Sequence, residues 1–179
     1  MNAFNQLKYR IIIYISFTIL IIVGYSFFLN SSRIGNKAPI FTVKLIDQSD
    51  YSLLESRGNY ILLDFWGSWC SRCLSEIPEL IQIKNKFKSS YFDQKSKLEI
   101  LTIAFEKKGD NWTKVAEKFH FDWKLQAVQF HNFVLNSPLA NQYGVTEVPS
   151  KFLIDPNGLI ILSNTSFSEI EKYLDSKKL

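Results

Sequence analysis

Tyr60-Ile61-Leu62-Leu63-Asp64-Phe65 is a continuous apolar run of strand length that comes after a break at Gly58-Asn59. An alternating run would leave one face to water, whereas this one needs both faces covered, the condition of a central strand in a parallel α/β sheet. That requirement limits the chain to architectures with helices on both sides of a sheet. The next segment agrees with it: over residues 71–88, Leu74, Ile77, Leu80, Ile81, Ile83 and Phe87 recur at helical spacing, and Pro78 is expected to kink that helix.

The alternation continues along the chain. Residues 98–105 predict the next strand, and residues 112–119 a helix that Asp110 or Asn111 caps. Residues 125–128 read as a short strand and residues 138–143 as a short helix ended by Gly144. Residues 151–154 and 159–162 flank the turn signal Asp155-Pro156-Asn157-Gly158, which predicts an antiparallel hairpin, and Ser166 with Glu169 forms a capping-box pattern opening a last helix to about Ser176. Upstream, residues 41–46, the turn Asp47-Gln48-Ser49-Asp50 and residues 51–53 read as a small hairpin. The expected fold is a single-domain α/β three-layer sandwich, a central mixed β-sheet flanked by helices.

Residues 11–29 stand apart: nineteen residues without a charge, about 28 Å as a helix and close to the hydrocarbon thickness of a bilayer. Their end, Phe27-Phe28-Leu29-Asn30-Ser31-Ser32, lacks the small-residue pattern of a cleavage site, so an uncleaved transmembrane helix is expected. Lys8 and Arg10 precede the run and favour a cytoplasmic N-terminus, while Arg33 and Lys37 weaken that bias. The expected organisation is residues 1–10 cytoplasmic, 11–29 transmembrane, 30–38 a tether and 39–179 the folded domain, placed outside the cytoplasm.

The chain of 179 residues has a formal charge of +4, which invites a nucleic-acid reading. Its distribution removes that reading. Lys8, Arg10 and Arg33 account for +3 with no acid among the first 33 residues, leaving 18 bases against 17 acids on the rest. No basic stripe remains to track phosphates.

The two cysteines, Cys70 and Cys73, fall where the buried strand hands over to the helix. A cysteine at a helix N-terminus meets unpaired N–H groups and the positive end of the helix dipole, both of which favour the thiolate. Cys73 lies one turn on, close enough to form a disulfide with Cys70, so the pair can cycle between dithiol and disulfide. A purely structural disulfide would close too short a loop to stabilise much. Zinc would need ligands beyond the two cysteines, and only His120 and His131 are available, in no finger-like spacing. No metal and no cofactor is expected.

Asp64-Phe65-Trp66-Gly67-Ser68-Trp69-Cys70-Ser71-Arg72-Cys73, with Pro78 five residues later, resembles the thioredoxin active-site segment. Tyr143-Gly144-Val145-Thr146-Glu147-Val148-Pro149-Ser150 and the adjoining Lys151-Phe152-Leu153-Ile154-Asp155-Pro156-Asn157-Gly158 resemble the second signature of that superfamily. With the apolar N-terminal run and Gly35-Asn36-Lys37-Ala38-Pro39-Ile40-Phe41, the chain is most similar to the membrane-tethered TlpA/ResA-type branch, over roughly residues 35–179.

The resemblance implies a thioredoxin-like fold and a set of roles. Cys70 is the attacking thiolate and Cys73 the resolving thiol. Val148-Pro149 is a cis peptide facing them, with the Val148 backbone open to an extended substrate. Asp64, on the buried strand, matches the buried acid that accepts the Cys73 proton. Trp69 is expected at the substrate rim and Trp66 in the core. Ser71 and Arg72 tune the Cys70 sulfur, Arg72 through its charge unless it simply faces solvent. Glu106 is a second acid of the kind such proteins use, although its place before Lys107-Lys108-Gly109 reads as a solvated loop. The expected activity is thiol-disulfide exchange in the reducing direction, with disulfide-containing client proteins such as those of cytochrome c maturation and a membrane-embedded electron donor as partners. A peroxiredoxin-like peroxidase and a non-catalytic peptide-binding module remain the alternatives.

Overall fold

The computed structural model describes residues 3–29, 34–108, 111–131 and 137–179. The first helix, α1 (Ala3–Leu29), carries the apolar run. Its side chains are described over residues 8–22 and at Gly24, and all are exposed. Among the described residues no helix is long and apolar enough to cross a membrane.

The rest builds one sheet and one small hairpin. Strands β1 (Thr42–Lys44) and β2 (Asp50–Ser52) pair antiparallel. The main sheet contains β3 (Tyr60–Trp66), β4 (Leu98–Glu106), β5 (Gln126–Phe130), β6 (Ser150–Ile154) and β7 (Ile160–Ser163) in the order β5-β4-β3-β6-β7. β3 is the middle strand, parallel to β4 and antiparallel to β6, and all seven of its residues are buried, as its unbroken apolar run requires. The crossovers are α2 (Ser71–Phe87), between β3 and β4, and α3 (Trp112–Lys118), between β4 and β5. α4 (Pro138–Tyr143) precedes β6 and α5 (Phe167–Lys177) comes after β7.

Side-chain alternation along β3 divides the core. Ile61, Leu63 and Phe65 pack with Leu53 of the hairpin side and with Leu139 and Tyr143 of α4. Tyr60 and Leu62 face the other way, against Leu80, Ile83 and Phe87 of α2 and Ile170 and Leu174 of α5. Asp64 and Trp66 share the parity of Tyr60 and Leu62, so the period of the strand aims the Asp64 carboxyl at the α2 face.

Helix ends obey their local chemistry. Ser166 and Glu169 close a reciprocal capping box on α5. Gly144 ends α4 in a left-handed conformation at φ 64°. Asn111 occupies the N-cap position of α3, but its side chain makes no capping bond. The other candidate cap, Asp110, lies outside the described residues, as do residues 30–33 of the expected tether. α2 runs through Pro78 as one helix.

The described part of that tether is docked. Gly35 N–H donates to Ile160 O (2.8 Å), Ile160 N–H to Asn36 O (2.9 Å) and Ala38 N–H to Gly158 O (2.9 Å). These bonds cover the outer edge of β7, which would otherwise present unpaired backbone groups. They sit beside the β6–β7 turn, at the end of the sheet opposite the C-terminus of β3.

Candidate active site

Cys70 and Cys73 are joined as a disulfide with their Cα atoms 5.2 Å apart. Cys70 is the N-cap of α2, and its Sγ accepts the Cys73 N–H at 3.1 Å. The sulfur thus satisfies a helix N-terminal donor, which favours its thiolate once the disulfide opens. Cys70 Sγ also lies 3.5 Å from Val148 O, and the Val148–Pro149 peptide is cis, so both segments of the resemblance meet at the sulfur.

The loop that delivers Cys70 is clamped to the end of β4. Trp69 Nε1 donates to Phe105 O at 2.8 Å, while Ser68 donates to Glu106 from its backbone N–H (2.6 Å) and its hydroxyl (2.8 Å). Gly67 is required by close approach: a Cβ there would stand 2.6 Å from Trp69 Nε1 and 3.0 Å from Phe105 O. Trp69 is 47% exposed, at the rim, whereas Trp66 is buried beside both cysteines.

Glu106 corrects the sequence expectation. It is the last residue of β4 and fully buried, not solvated, because the loop turns back over it and supplies Ser68 as donor. Its visible work is to hold the Cys70 loop. Arg72 faces solvent. The guanidinium pairs along α2 with Glu76 (Nε to Oε1, 3.1 Å), and its side chain is 77% exposed. Ser71 beside it is exposed as well.

Asp64 is buried, with only 6% of its surface exposed. It lines a cavity of about 10 Å³ together with Cys73, Trp66, Glu76, Ile77 and Pro149, about the volume that one water needs. Burial pushes its carboxyl up to about 7, against the pull of the Lys151 ammonium and with a further push from Glu76. A carboxyl poised near neutrality beside Cys73 can take a proton from that thiol.

Two residues of this site were not singled out from sequence, Glu76 and Lys151. Lys151 Nζ is ion-paired to Glu76 Oε2, and Lys151 is the cross-strand partner of Asp64. The signals were present: Glu76 stands three residues after Cys73, one turn along the same helix face, and Lys151 is a lone charge near the start of a buried strand. His120 and His131 are exposed. Among the described residues no cluster of His, Cys, Asp and Glu could hold a metal ion.

Comparisons with known proteins agree with this geometry. Residues 58–160 match the family described as thioredoxin-like. The thiol-disulfide oxidoreductase ResA of Geobacillus thermodenitrificans is 31% identical over 169 residues, covering 89% of this chain and 90% of that protein. Among solved structures, a thiol:disulfide interchange protein DsbE from Chlorobium tepidum is 25% identical with a TM-score of 0.63, covering 82% of this chain and 95% of the other. The C-terminal domain of a thiol-disulfide oxidoreductase from Bacteroides thetaiotaomicron, 24% identical, shares the fold with a TM-score of 0.70, covering 82% and 97%. With its dithiol at a helix N-cap, a cis proline facing it and an acid behind it, the chain belongs to the thioredoxin-like family as a thiol-disulfide oxidoreductase of the ResA/DsbE type.

Proposed function

We propose that the protein is a membrane-anchored reductase of extracytoplasmic disulfides. The observation that carries the exchange chemistry is the Cys70 sulfur at the helix N-cap, accepting the Cys73 N–H at 3.1 Å, because a helix N-terminus stabilises the thiolate that must attack first. The reducing direction rests on the apolar N-terminal run, which would hold the pair beside a membrane-embedded donor, and on the ResA-type resemblance. Cys70 S⁻ attacks a client disulfide, forming a mixed disulfide and releasing one client thiolate. Asp64 takes the proton of Cys73, whose thiolate then attacks Cys70 Sγ and frees the second client thiolate. The client gains two electrons and the Cys70–Cys73 disulfide remains. Asp64 passes its proton to a released client thiolate, and a membrane-embedded dithiol donor returns two electrons and one proton to the pair, its second proton going to solvent, which restores Cys70 S⁻ and protonated Cys73. Trp69, Val148 and Pro149 form the rim on which an extended client segment lies, with Val148 O beside the sulfur.

Two features support the anchor. The described α1 side chains over residues 8–22 are uniformly exposed though mostly apolar, a surface suited to lipid. Docking of residues 35–38 beside the β6–β7 turn leaves the disulfide at the far end of the sheet, away from the tether. Lys8 and Arg10 ahead of the run favour a cytoplasmic N-terminus and an extracytoplasmic redox domain. Proteins with paired cysteines, apocytochromes c among them, are the client class that the ResA-type resemblance suggests.

The direct test is insulin reduction with dithiothreitol, using the full chain reconstituted in vesicles. The wild type should reduce insulin and float with the vesicles, whereas Cys70→Ser should float without activity. Equal activity in the two would refute the exchange chemistry, and a chain that stays in the aqueous fraction would refute the anchor.

A further inference from the structure

Lys151 is the second residue of β6, a strand that is apolar from Phe152 to Ile154 and buried throughout. Its side chain is 6% exposed and that of its ion-pair partner Glu76 is 20% exposed. The Lys151 ammonium also lies 4.7 Å from the centre of the Phe167 ring. A buried ion pair is often no more stable than apolar side chains of the same size, so stability alone is a weak reason for a lysine in this core. Its position suggests another reason. Lys151 sits directly across the β3–β6 ladder from Asp64, on the face that both strands turn toward α2.

We propose that Lys151 is a positioning residue for the proton acceptor of the dithiol: its ammonium, held between Glu76 and β3, keeps the Asp64 carboxylate available to the Cys73 proton. The proposal rests on the reading of Asp64 as that acceptor. Glu76 has two opposing effects in it, fixing the ammonium in place and adding a negative charge that opposes ionisation of Asp64. Arg72, paired with Glu76 on its outer side, ends the row of alternating charges at the surface.

The groups facing Asp64 are few. β6 presents Lys151, α2 presents Cys73 and Glu76, and β4 presents Thr102 as the register partner. Phe121 and Phe167 complete the wall without charge. Lys151 lowers the Asp64 pKa and Glu76 raises it, so removing each should move the carboxyl in opposite directions. A side chain that merely filled space would produce no such opposition.

The test uses the full chain and its Lys151→Met, Lys151→Arg, Glu76→Gln and Asp64→Asn variants. The Asp64 carboxyl is titrated by carbon NMR in the disulfide form, and single-turnover reduction of a small aromatic disulfide is measured against pH. Lys151→Met should raise the carboxyl midpoint and the rate midpoint together by about one pH unit, a roughly tenfold change in the proton affinity of the carboxyl. Glu76→Gln should lower both, and Lys151→Arg should keep both near the wild type. Midpoints that do not move, or that move the same way in both variants, overturn the proposal. Should Lys151→Met fail to fold, the direction of the Glu76→Gln shift decides. A rate profile unchanged in Asp64→Asn overturns the acceptor reading itself, and the proposal with it, and the NMR midpoints then show separately whether Lys151 acts on the carboxyl.

Discussion

Asp64 and Glu106 are both buried acids on the neighbouring parallel strands β3 and β4, Asp64 beside Cys73 and Glu106 hydrogen-bonded to the loop that delivers Cys70. Glu106 meets donors. The Ser68 N–H and hydroxyl both point at it, at 2.6 and 2.8 Å, so the loop it holds also satisfies its oxygens. Asp64 instead faces a cavity walled largely by apolar side chains, and burial lifts its pKa to about 7. What each carboxyl touches decides its work: hydrogen bonds from a loop make a clamp, and apolar surroundings favour a carboxyl able to exchange a proton near neutrality.

The contrast between the two acids breaks most visibly at Glu106. Glu106→Leu should cost about 3 kcal/mol of unfolding free energy, since two hydrogen bonds to a fully buried acceptor are lost and Ser68 is left with unpaired donors. Denaturant unfolding would read this, and a loss below about 1 kcal/mol would deny Glu106 its clamping role.

Asp64→Asn should act through pH. The folded-state pKa stands near 7, above the ordinary 3.8, so the folded chain holds this proton more tightly than the unfolded chain does. Wild-type stability should therefore fall as pH rises through that window, by at most about 1.4 kcal/mol per pH unit, and level off above it. The variant lacks that slope and gains on the wild type across the same range. Measured on the disulfide form, where the cysteines do not titrate, parallel stability curves would make Asp64 a second clamp instead of a titrating acid. At neutral pH the variant should also resolve a mixed disulfide about a hundredfold more slowly.

Arg72→Ala should do least. An exposed pair with Glu76 four residues on is worth about 0.3–0.5 kcal/mol, and activity should stay within about twofold. A tenfold loss would support the role considered from sequence, a cation tuning the Cys70 sulfur.

Much of this molecule is legible in its sequence. The run from Tyr60 to Phe65 names the central strand, Gly144 and the Ser166–Glu169 box mark helix ends, and Cys70 with Cys73 at the strand–helix junction names the chemistry. Asp64 stands out because a single acid inside a buried run is conspicuous. Glu106 misleads because its neighbours Lys107 and Lys108 resemble a surface loop, whereas the donor that buries it comes from Ser68, 38 residues earlier.

The sequence by itself determined what depends on neighbours along the chain: strand and helix periods, caps, turns and the cysteine spacing. Tertiary structure decided what depends on pairing between distant segments. Lys151 reaches Glu76 across 75 residues, and it does so because the antiparallel register of β3 and β6 sets Asp64 against Lys151. Residues 35–38 join the domain because β7 offers them an unpaired edge. Register is set by the packing of whole strands, and a shift of one residue would turn Asp64 and Lys151 to opposite faces. For that reason the cysteine pair could be read from the sequence, while the pairing of Lys151 and Glu76 beside the Asp64 carboxyl needed the fold.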